Sequence, residues 1–476
     1  MRCLALADSL VRDGWDCAFA ATAETFDVVP ALAAAAHRHA VLDPEDWNNP
    51  AAAKEAAACD LLVVDHYGLA RDYESGCRGW AGSILVLDDL ADRPHDCDFL
   101  LDSAGDATRY HGLAPPECRM LMGPTHALLA RDFATARRAV LPRAEDRATT
   151  RILVAFGAAD TENMTGDALA VLSEVAPDAE VDIVLGPAAQ HLDAVRASVD
   201  AASAELHVGT KDMVGLMARA DIAVGAIGVT AWERCCLGLP SVAVVAADNQ
   251  RQTALCLAKS GAATVLDRYS PDSLADELSR LCADPEARAA MSRRAAALCD
   301  GRGADRVRLA ISPPQLAKDG ASVTLRLANE ADTERLLCWQ RDPRTRQFAR
   351  NPEVPDRDAH YRWTAARLVD PDCLLNIVEH GGAPAGVIRL DRATSQGAVA
   401  ECWEVSIYTA PDRHGGGIGL AALALARGLV PDAEIIADVL PENEASHALF
   451  RRAGFAWCEG MYRLAPTEAA KSEEKP

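Results

Sequence analysis

The sequence lacks the features of a membrane-spanning, exported or nucleic-acid-binding protein. No window of it approaches the run of about 20 apolar residues that crosses a bilayer. The N-terminus has no basic segment followed by an apolar core, so we expect no signal peptide. The formal net charge of −22 argues against a nucleic-acid partner and against an anionic membrane surface.

Cysteine pairs suited to metal or redox chemistry are also missing. The 15 cysteines include no C-x-x-C spacing, and the one adjacent pair is Cys235–Cys236. Most of them stand singly in apolar or helical runs, which is typical of buried thiols in a reducing compartment. The sequence therefore predicts a cytoplasmic protein with free thiols, without disulfides and without a bound metal.

Apolar strands alternate with helical segments through most of the chain, which predicts an α/β fold. The 476 residues are enough for two or three domains with their own cores. Alternation of this kind builds doubly wound parallel sheets, whose ligands bind at the carboxyl ends of the strands. We place three domains at residues 1–135, 150–300 and 323–465, separated by a charged connector (137–150) and a linker (301–322).

The predicted strands of the first two domains are short and apolar. In the first domain they are Cys17–Ala20, Ala40–Leu42, Leu61–Asp65, Ile84–Asp88 and Phe99–Asp102. In the second domain they are Ile152–Phe156, Val181–Leu185, Leu206–Gly209, Ile222–Val224 and Val242–Val245.

The N-terminal segment departs from this alternation. MRCLALADSLVRDGW has the pattern of an amphipathic helix, with Leu6 and Leu10 on one face. A doubly wound domain normally opens with a central strand that leads into such a helix. We therefore expect the first sheet to lack that strand and to expose two edges, and we expect the natural reading frame to begin upstream of Met1.

The segment Gly225–Gln250 carries the clearest signal for a ligand. The strand Ile222–Val224 leads into small residues that end at Gly228, and Thr230 stands where it would cap the next helix. Small residues at a helix start leave backbone N–H groups free to hold phosphate. Glu233, one turn along, is placed to accept hydrogen bonds from the two hydroxyls of a ribose. The pattern favours a nucleotide-sugar site.

A second glycine-rich loop, Arg413–Gly419, precedes the predicted helix Leu420–Leu429. Such a turn exposes N–H groups at the positive end of a helix, which suits a pyrophosphate. Asn443–Ser446 and the closing pair Gly454–Phe455 follow, and together these motifs resemble the GNAT acyltransferases. The resemblance implies acetyl-CoA as co-substrate, with its pantetheine along the strand Glu404–Tyr408. The acetyl-CoA-binding residues that it implies are Ile407, Arg413, His414, Gly415, Gly417, Ile418, Gly419 and Asn443.

Two positions depart from the GNAT pattern. His414 stands at the usually basic first position of the loop, although Arg413 precedes it. Phe450 stands where the family often has a tyrosine, so another group or solvent would protonate the leaving thiolate. Glu404 is the candidate base that deprotonates the amine, directly or through water. A solvated edge-strand carboxylate is the alternative interpretation of Glu404.

The first 300 residues contain an ordered set of motifs from a second family. They are Asp65–Gly68, Asp88–Asp89, Gly123–Pro124, Phe156–Asp160, Trp232–Cys236 and Asp248–Gln250. The set resembles the UDP-2,4-diacetamido-2,4,6-trideoxy-β-L-altropyranose hydrolases of pseudaminic acid synthesis, which share the two-domain architecture of GT-B glycosyltransferases. The resemblance implies that water displaces UDP at the anomeric carbon.

The same resemblance implies roles for individual residues. Tyr67 and Asn249 would face the sugar and the attacking water, and Glu233 would hold the ribose. His66 is a further catalytic candidate, although a hydrogen bond to its own loop explains it equally well. The remaining UDP-sugar-binding residues are Gly228, Val229, Thr230, Gln250 and Gly157.

Several positions depart from the hydrolase pattern. The family's Gly-His-x-x-Arg-Cys start, whose histidine is the proposed base, is matched only from Arg2–Cys3 onward. Ile227 stands where the family tends to keep glycine, and its side chain would crowd the diphosphate. Ala158–Ala159 replaces the common Gly-Thr pair. We interpret the acids and the histidine between Asp88 and Asp98 as a solvated turn rather than a metal site.

These patterns predict a bifunctional enzyme, with two doubly wound GT-B-like domains, the first lacking its N-terminal strand, followed by an α/β GNAT domain. It would acetylate a UDP-4-amino-sugar from acetyl-CoA and then hydrolyse the UDP-diacetamido-sugar, without a nucleic-acid or membrane partner. Three alternatives stay open. The acetyltransferase alone is active and the front domains are a UDP-sugar-binding platform; the chain is a GT-B glycosyltransferase with a regulatory GNAT domain; or it is a non-catalytic scaffold.

Overall fold

The structure, a computed structural model, describes residues 1–52, 58–143, 150–200, 204–393 and 401–467. The chain divides into two units. The first contains Met1–Val11 and Asp16–Ala304, and the second contains Arg12–Trp15 and the residues from Asp305 onward. Among the described residues, no helix is both long and apolar enough to cross a bilayer.

The first half of the first unit contains two separate parallel sheets. A two-stranded sheet pairs β1 (Ala18–Thr22) with β2 (Arg38–Leu42). A four-stranded sheet has the order β3 (Cys59–Val64), β4 (Ala81–Leu87), β5 (Phe99–Asp102) and β6 (Arg119–Met122). The α-helices of this half are Arg2–Val11, Ala23–Val28, Pro30–Ala33, Arg71–Cys77 and Arg131–Val140.

Each of the five strands predicted for this half is present, but the described residues do not join them into one sheet. Each sheet therefore keeps edges that no further described strand covers, as expected where a central strand is missing. The predicted amphipathic helix is confirmed as Arg2–Val11. It is held by burial of Leu6 and Leu10, whose side chains are almost fully removed from solvent.

The second half of the first unit is a six-stranded parallel sheet of doubly wound order. Its order is β12 (Thr264–Leu266), β11 (Ser241–Val244), β10 (Ile222–Ala226), β7 (Arg151–Ala155), β8 (Glu180–Leu185) and β9 (Ala204–Val208). The strand order reverses between β7 and β10, and ligands of such sheets bind in the crevice beyond that point. The α-helices are Met164–Val175, Leu192–Asp200, Met213–Arg219, Val229–Cys236, Arg251–Ser260, Pro271–Ala283 and Pro285–Leu298.

The segment 301–322 was predicted as a linker, and that prediction is wrong. Gly303–Ile311 is an α-helix, and β13 (Gln315–Leu316) pairs with β14 (Ser322–Leu327). The Gly, Pro and Lys residues of this segment suggested a linker, but they lie at the ends of the helix and strands rather than inside them. Val307 is fully buried in the helix, and burial of apolar side chains outweighs weak local propensity.

The second unit contains one mixed eight-stranded sheet. Its order is β13, β14, β15 (Cys373–His380), β16 (Ala383–Ala393), β17 (Cys402–Thr409), β18 (Glu434–Ala437), β20 (Met461–Leu464) and β19 (Ala456–Cys458). All neighbours are antiparallel except β17 and β18, whose parallel pairing covers three residue pairs from Cys402 to Glu404. The α-helices are Thr333–Arg341, Pro343–Arg346, Arg357–Val369, Ile418–Leu429 and Glu444–Arg452.

Replacing Gly225 by alanine should destabilise the first unit. Gly225 pairs with Ala155 across β10 and β7, and an added Cβ would stand 2.0 Å from the carbonyl oxygen of Ala155. We expect the overpacking to cost about 1–3 kcal/mol or more, measured as a lower urea midpoint of the full chain. Gly228→Ala is the matched control, because no atom lies within 4 Å of its added Cβ. Equal midpoints for the two variants would contradict the close approach of β10 to β7.

Candidate functional site

The helix Val229–Cys236 begins without a capping side chain. Gly228 is its N-cap residue, with extended backbone angles (φ −176°, ψ −154°). The prediction that Thr230 caps this helix is therefore wrong: Thr230 lies inside the first turn, because the chain already enters helical geometry at Val229. The first-turn N–H groups receive no side-chain acceptor from the N-cap residue, and open space lies beside Gly228, so this end can hold an anion.

A cavity of about 250 Å³ opens beside this helix start and receives residues from both halves of the first unit. The Asn249 amide donates a hydrogen bond to the Tyr67 hydroxyl at 2.8 Å, which in turn donates to Asp89 at 3.2 Å. Trp232 Nε1 donates to Ser103 at 3.2 Å. The residues that line the cavity are Arg2, Tyr67, Asp89, Leu101, Ser103, Leu128, Ile227, Gly228, Val229, Trp232, Asn249, Gln250 and Thr253.

Five of the predicted residues thus share one cavity, and four others do not line it. Tyr67, Asn249, Gly228, Val229 and Gln250 are lining residues. Thr230, Glu233, Gly157 and His66 are not, although Gly157 follows β7 at the crevice with a φ of 107° and open space around it.

His66 is held by its own loop. Its Nδ1 accepts the Gly68 N–H at 2.9 Å, and its ring packs on Trp47 with 4.4 Å between ring centroids. Burial lowers the pKa of His66, against the opposing effect of Asp65. These contacts match the structural alternative that the sequence left open for His66.

Glu233 has an unusual electrostatic environment. Its carboxyl is half-buried, and the described residues give it no hydrogen bond. Burial raises the pKa of Glu233 to about 7, although the neighbouring Arg234 charge opposes the rise. A carboxyl with such a pKa changes charge near neutrality, which suits a group that awaits hydrogen-bond donors from a ligand.

The turn after β4 was interpreted as solvated, and that interpretation is wrong for its inner residues. Asp88 and His95 are fully buried, and His95 Nδ1 lies 2.7 Å from a buried Glu74 oxygen. The Tyr110 hydroxyl donates to Asp88 at 3.1 Å. The sequence did not reveal this network because its partners come from different parts of the chain. The sequence also assigned no role to Asp89, although the pair Asp88–Asp89 belongs to the hydrolase-like motifs, and the turn presents Asp89 to the cavity.

One group of possible metal ligands occurs among the described residues: Asp182, Glu205 and His207. The Asp182 carboxylate already accepts from Arg219 at 2.5 Å and from Arg151 at 3.1 Å. These two cations neutralise the carboxylate, so the cluster is explained as an ion-pair network on β8 and β9.

A larger cleft, of about 810 Å³, lies in the second unit where β17 and β18 diverge. Beyond Glu404 the two strands no longer pair, so the β18-facing edge of Val405–Tyr408 has no strand partner among the described residues. The cleft is lined from one side by these residues and from the other by Asp438–Leu440 and Asn443. An edge of free backbone groups beside an apolar cleft suits an extended amide-containing ligand.

The glycine loop lies at the start of the helix Ile418–Leu429. Gly417 is the N-cap residue with a φ of 87°, and it offers no side chain to cap the helix. Lys318, which the sequence analysis missed, donates from Nζ to the Gly415 carbonyl and from its backbone N–H to the Gly416 carbonyl, both at 2.8 Å. His414 Nδ1 lies 3.1 Å from the Thr409 hydroxyl. The loop thus combines open N–H groups with a nearby ammonium group.

The other predicted residues of this unit serve the cleft in different ways. Ile407 lines it, and Gly419 allows the helix to approach Ile407 and Leu449, because an added Cβ would stand 3.3 Å from Leu449. Asn443 caps the helix Glu444–Arg452 by accepting the Ser446 N–H at 3.0 Å. Arg413 and Ile418 lie in the loop and in the first helical turn, and neither lines the cleft.

Glu404 is engaged in an ion pair. Its carboxylate contacts Arg350, which also lies 3.4 Å from Asp438. Arg350 lines the cleft, whereas Glu404 does not. Phe450, which replaces the family's tyrosine, is buried in the cleft wall and stacks on Tyr462 with 5.5 Å between ring centroids.

Comparison with known proteins finds a family match within the second unit. Residues 322–456 match the family described as "Acetyltransferase (GNAT) domain". The second unit thus contains a segment similar to a GNAT acetyltransferase domain. The cleft at the divergence of β17 and β18 and the glycine loop both lie within this segment.

The chain is also similar to two proteins whose names refer to a polysaccharide and to a UDP-sugar. The spore coat polysaccharide biosynthesis protein SpsG of Bacillus subtilis is 30% identical over 195 residues, which cover 40% of this chain and 57% of SpsG. The UDP-2,4-diacetamido-2,4,6-trideoxy-β-L-altropyranose hydrolase of Campylobacter jejuni is 38% identical over 77 residues, 16% of this chain and 28% of that enzyme. The aligned part is thus less than two thirds of either relative.

The Acinetobacter baumannii MurG structure covers 64% of this chain and 93% of its own length, with a TM-score of 0.46 and 16% sequence identity.

Glu233→Gln should stabilise the protein in a pH-dependent manner. Because the folded-state pKa is raised to about 7, the folded state holds a proton that the unfolded chain releases near pH 4.5. The free energy of unfolding therefore falls as the pH rises from about 4.5 to about 7. Above pH 7 the cost of keeping the ionised Glu233 carboxylate buried is fully present. We expect Gln to raise Tm by about 3 °C or more at about pH 8.5 and hardly at all at about pH 4.5. Exposed Glu174→Gln is the control, and a pH-independent gain would contradict the raised pKa of Glu233.

Proposed function

We propose that the chain is a bifunctional nucleotide-sugar enzyme. The GNAT domain transfers the acetyl group of acetyl-CoA to the amine of a UDP-4-amino-sugar, and the first unit hydrolyses UDP-2,4-diacetamido-2,4,6-trideoxy-β-L-altropyranose to release UDP. The proposal extends to domain bounds at 1–135, 150–300 and 323–465. The observation that carries it is the cavity in which Tyr67 and Asn249 meet beside the uncapped helix start at Gly228.

The acetyl-transfer step is supported by the cleft of the GNAT domain. Free backbone groups along Val405–Tyr408 would hold the pantetheine amides, and the loop Arg413–Gly419 would hold the pyrophosphate. Glu404 would accept the amine proton once substrate displaces Arg350 from it. Because Phe450 has no proton to donate, solvent would protonate the thiolate of CoA.

The hydrolytic step is supported by the cavity of the first unit. The N–H groups at Val229 and Thr230 would stabilise the charge of the leaving diphosphate. Glu233 would accept the ribose hydroxyls, and ionisation near its raised pKa would favour that interaction above neutrality. Tyr67 and Asn249 would position the sugar and the water. The similarity to the C. jejuni UDP-sugar hydrolase and to the polysaccharide biosynthesis protein SpsG supports the choice of a nucleotide-sugar over other ligands.

A second candidate function keeps the acetyltransferase alone active, with the first unit as a UDP-sugar-binding platform. Ile227 favours it, because this side chain is buried and lines the cavity where the diphosphate would lie. A bulky residue there leaves less room for the diphosphate to move away from the anomeric carbon when the bond between them breaks.

One assay separates these functions. The purified chain is mixed with acetyl-CoA and the UDP-4-amino-sugar, and mass spectrometry follows acetylated sugar, CoA and UDP. We expect acetylated UDP-sugar first and free UDP afterwards, without any added acceptor. Acetylation without UDP would support the platform function, UDP release that requires a sugar acceptor would indicate a glycosyltransferase, and neither product would overturn both proposed activities.

Gly417→Ala should weaken acetyl-CoA binding. A side chain at φ 87° is strained, and the added Cβ would stand 3.3 Å from the backbone nitrogen of Lys318. The loop must therefore shift. We expect the Kd of acetyl-CoA, measured calorimetrically, to rise at least about tenfold, since about 1.4 kcal/mol is tenfold in affinity. Gly416→Ala is the matched control, because its added Cβ meets nothing closer than 4.0 Å. Equal affinities for the two variants would argue against pyrophosphate binding by this loop.

A further inference from the structure

Thr253 carries a hydroxyl that the protein leaves unused beside a cavity. The residue lies in the first turn of the helix Arg251–Ser260 and lines the cavity of the first unit. It is only 9% exposed, and its hydroxyl has no hydrogen-bond partner among the described residues. Because a buried hydroxyl without a partner is costly, this group is suited to a hydrogen bond with a ligand that the cavity holds.

Other hydroxyls on helices of this unit are satisfied by their own helix. The Thr135 hydroxyl donates to the Arg131 carbonyl at 3.3 Å. The Ser173 hydroxyl donates to the Leu169 carbonyl at 2.9 Å. A bond to the carbonyl four residues earlier is a common solution for hydroxyls within helices. Thr253 makes no such bond, so its hydroxyl stays available to the cavity.

The cavity presents further free donors. Open N–H groups stand at the start of the helix Val229–Cys236. The Gln250 side chain accepts the Ala246 N–H at 2.8 Å through its oxygen, which leaves its amide nitrogen without an acceptor among the described residues. Asp89 is the only acid among the described residues that line the cavity, and two hydrogen bonds already reach it from the protein. An excess of free donors favours an anionic ligand group.

These donors come from two helices that share one small cavity. Val229 begins the first helix, whereas Gln250 and Thr253 lie three residues apart at the start of the second, a spacing that places them on one side of it. The cavity volume of about 250 Å³ is small for a ligand pocket. An anion at the start of the first helix therefore lies within reach of donors from the second.

We propose that Thr253 binds the diphosphate of the nucleotide-sugar, with its hydroxyl donating a hydrogen bond to a phosphate oxygen. The inference rests on the proposed function of the first unit. It adds a second anchor to the N–H groups at Val229 and Thr230. Two anchors on two helices fix the orientation of the diphosphate, whereas one anchor leaves it free to rotate. A donor held beside the diphosphate also stabilises the charge that builds on it as UDP leaves.

The test is the affinity of the full chain and of Thr253→Val for UDP and for uridine, measured by calorimetry. Valine has nearly the shape of threonine and a similar helix propensity, so the substitution removes little except the hydroxyl. We expect the Kd of UDP to rise about tenfold or more, because hydrogen bonds to charged groups are strong. Uridine has no phosphate, so its Kd should change less than about twofold. Thr253→Ser keeps the hydroxyl and should restore most of the affinity for UDP.

The stability of the unliganded variant separates binding from a structural role. Since the Thr253 hydroxyl bonds to nothing in the described part of the protein, the urea midpoint of Thr253→Val should equal or exceed that of wild type. Thr135→Val is the matched control, because this helical threonine is exposed and its hydroxyl is bonded to its own helix. Its Kd for UDP should stay at the wild-type value.

Three results would overturn the inference. If Thr253→Val has a lower urea midpoint and an unchanged Kd for UDP, the hydroxyl is structural. If the variant loses affinity for UDP and uridine equally, Thr253 does not act on the diphosphate. In both cases the proposed function stands, provided that wild type binds UDP more tightly than uridine. If wild type does not, the diphosphate site of the proposed function fails and this inference fails with it. If Thr253→Val does not fold, Thr253→Ala with the same two ligands decides the question.

Discussion

Two helix starts without a capping side chain are the constraint on which both candidate sites depend. Helices elsewhere in the chain, such as those that follow Asp212 and Asp356, satisfy their first N–H groups with a carboxylate. The helices that begin at Val229 and Ile418 have glycine as N-cap and leave these groups open. Unpaired backbone donors are costly when they are shielded from water, so these helix starts need access to solvent or to a ligand. In the first unit a cavity opens beside Gly228, and in the second unit the glycine loop lies before Ile418.

Much of this arrangement follows from local sequence pattern. The alternation of short apolar strands with helices predicts parallel sheets, and Gly228 and Gly417 mark the turns at which two of the helices begin. Local pattern also identifies Tyr67 and Asn249 as residues at strand ends. It does not reveal that they meet, because their hydrogen bond joins residues 182 positions apart in the chain.

The errors have a common physical origin. The segment around Val307 was predicted as a linker because local propensity is weak there, but tertiary burial decides its structure. Thr230 was predicted as a cap because hydroxyl residues favour that position, although glycine can occupy it without a side-chain acceptor. The acids after β4 resemble a solvated turn, yet Tyr110 and Glu74 come from other parts of the chain to hold them. Lys318 was missed, and Asp89 received no role beyond its motif, for the same reason: their contacts come from residues distant in sequence.

The short pairing of β17 with β18 has a consequence for the stability of the GNAT domain. Three residue pairs join the two strands before they separate, so the sheet is incomplete along Val405–Tyr408. A ligand whose amides bond to that edge would finish the sheet, and it would bind the folded chain while having no site on the unfolded one. By mass action such a ligand contributes to folding. The donor molecule would then act as a temporary strand, and the domain would be most rigid during the part of its cycle in which it is loaded.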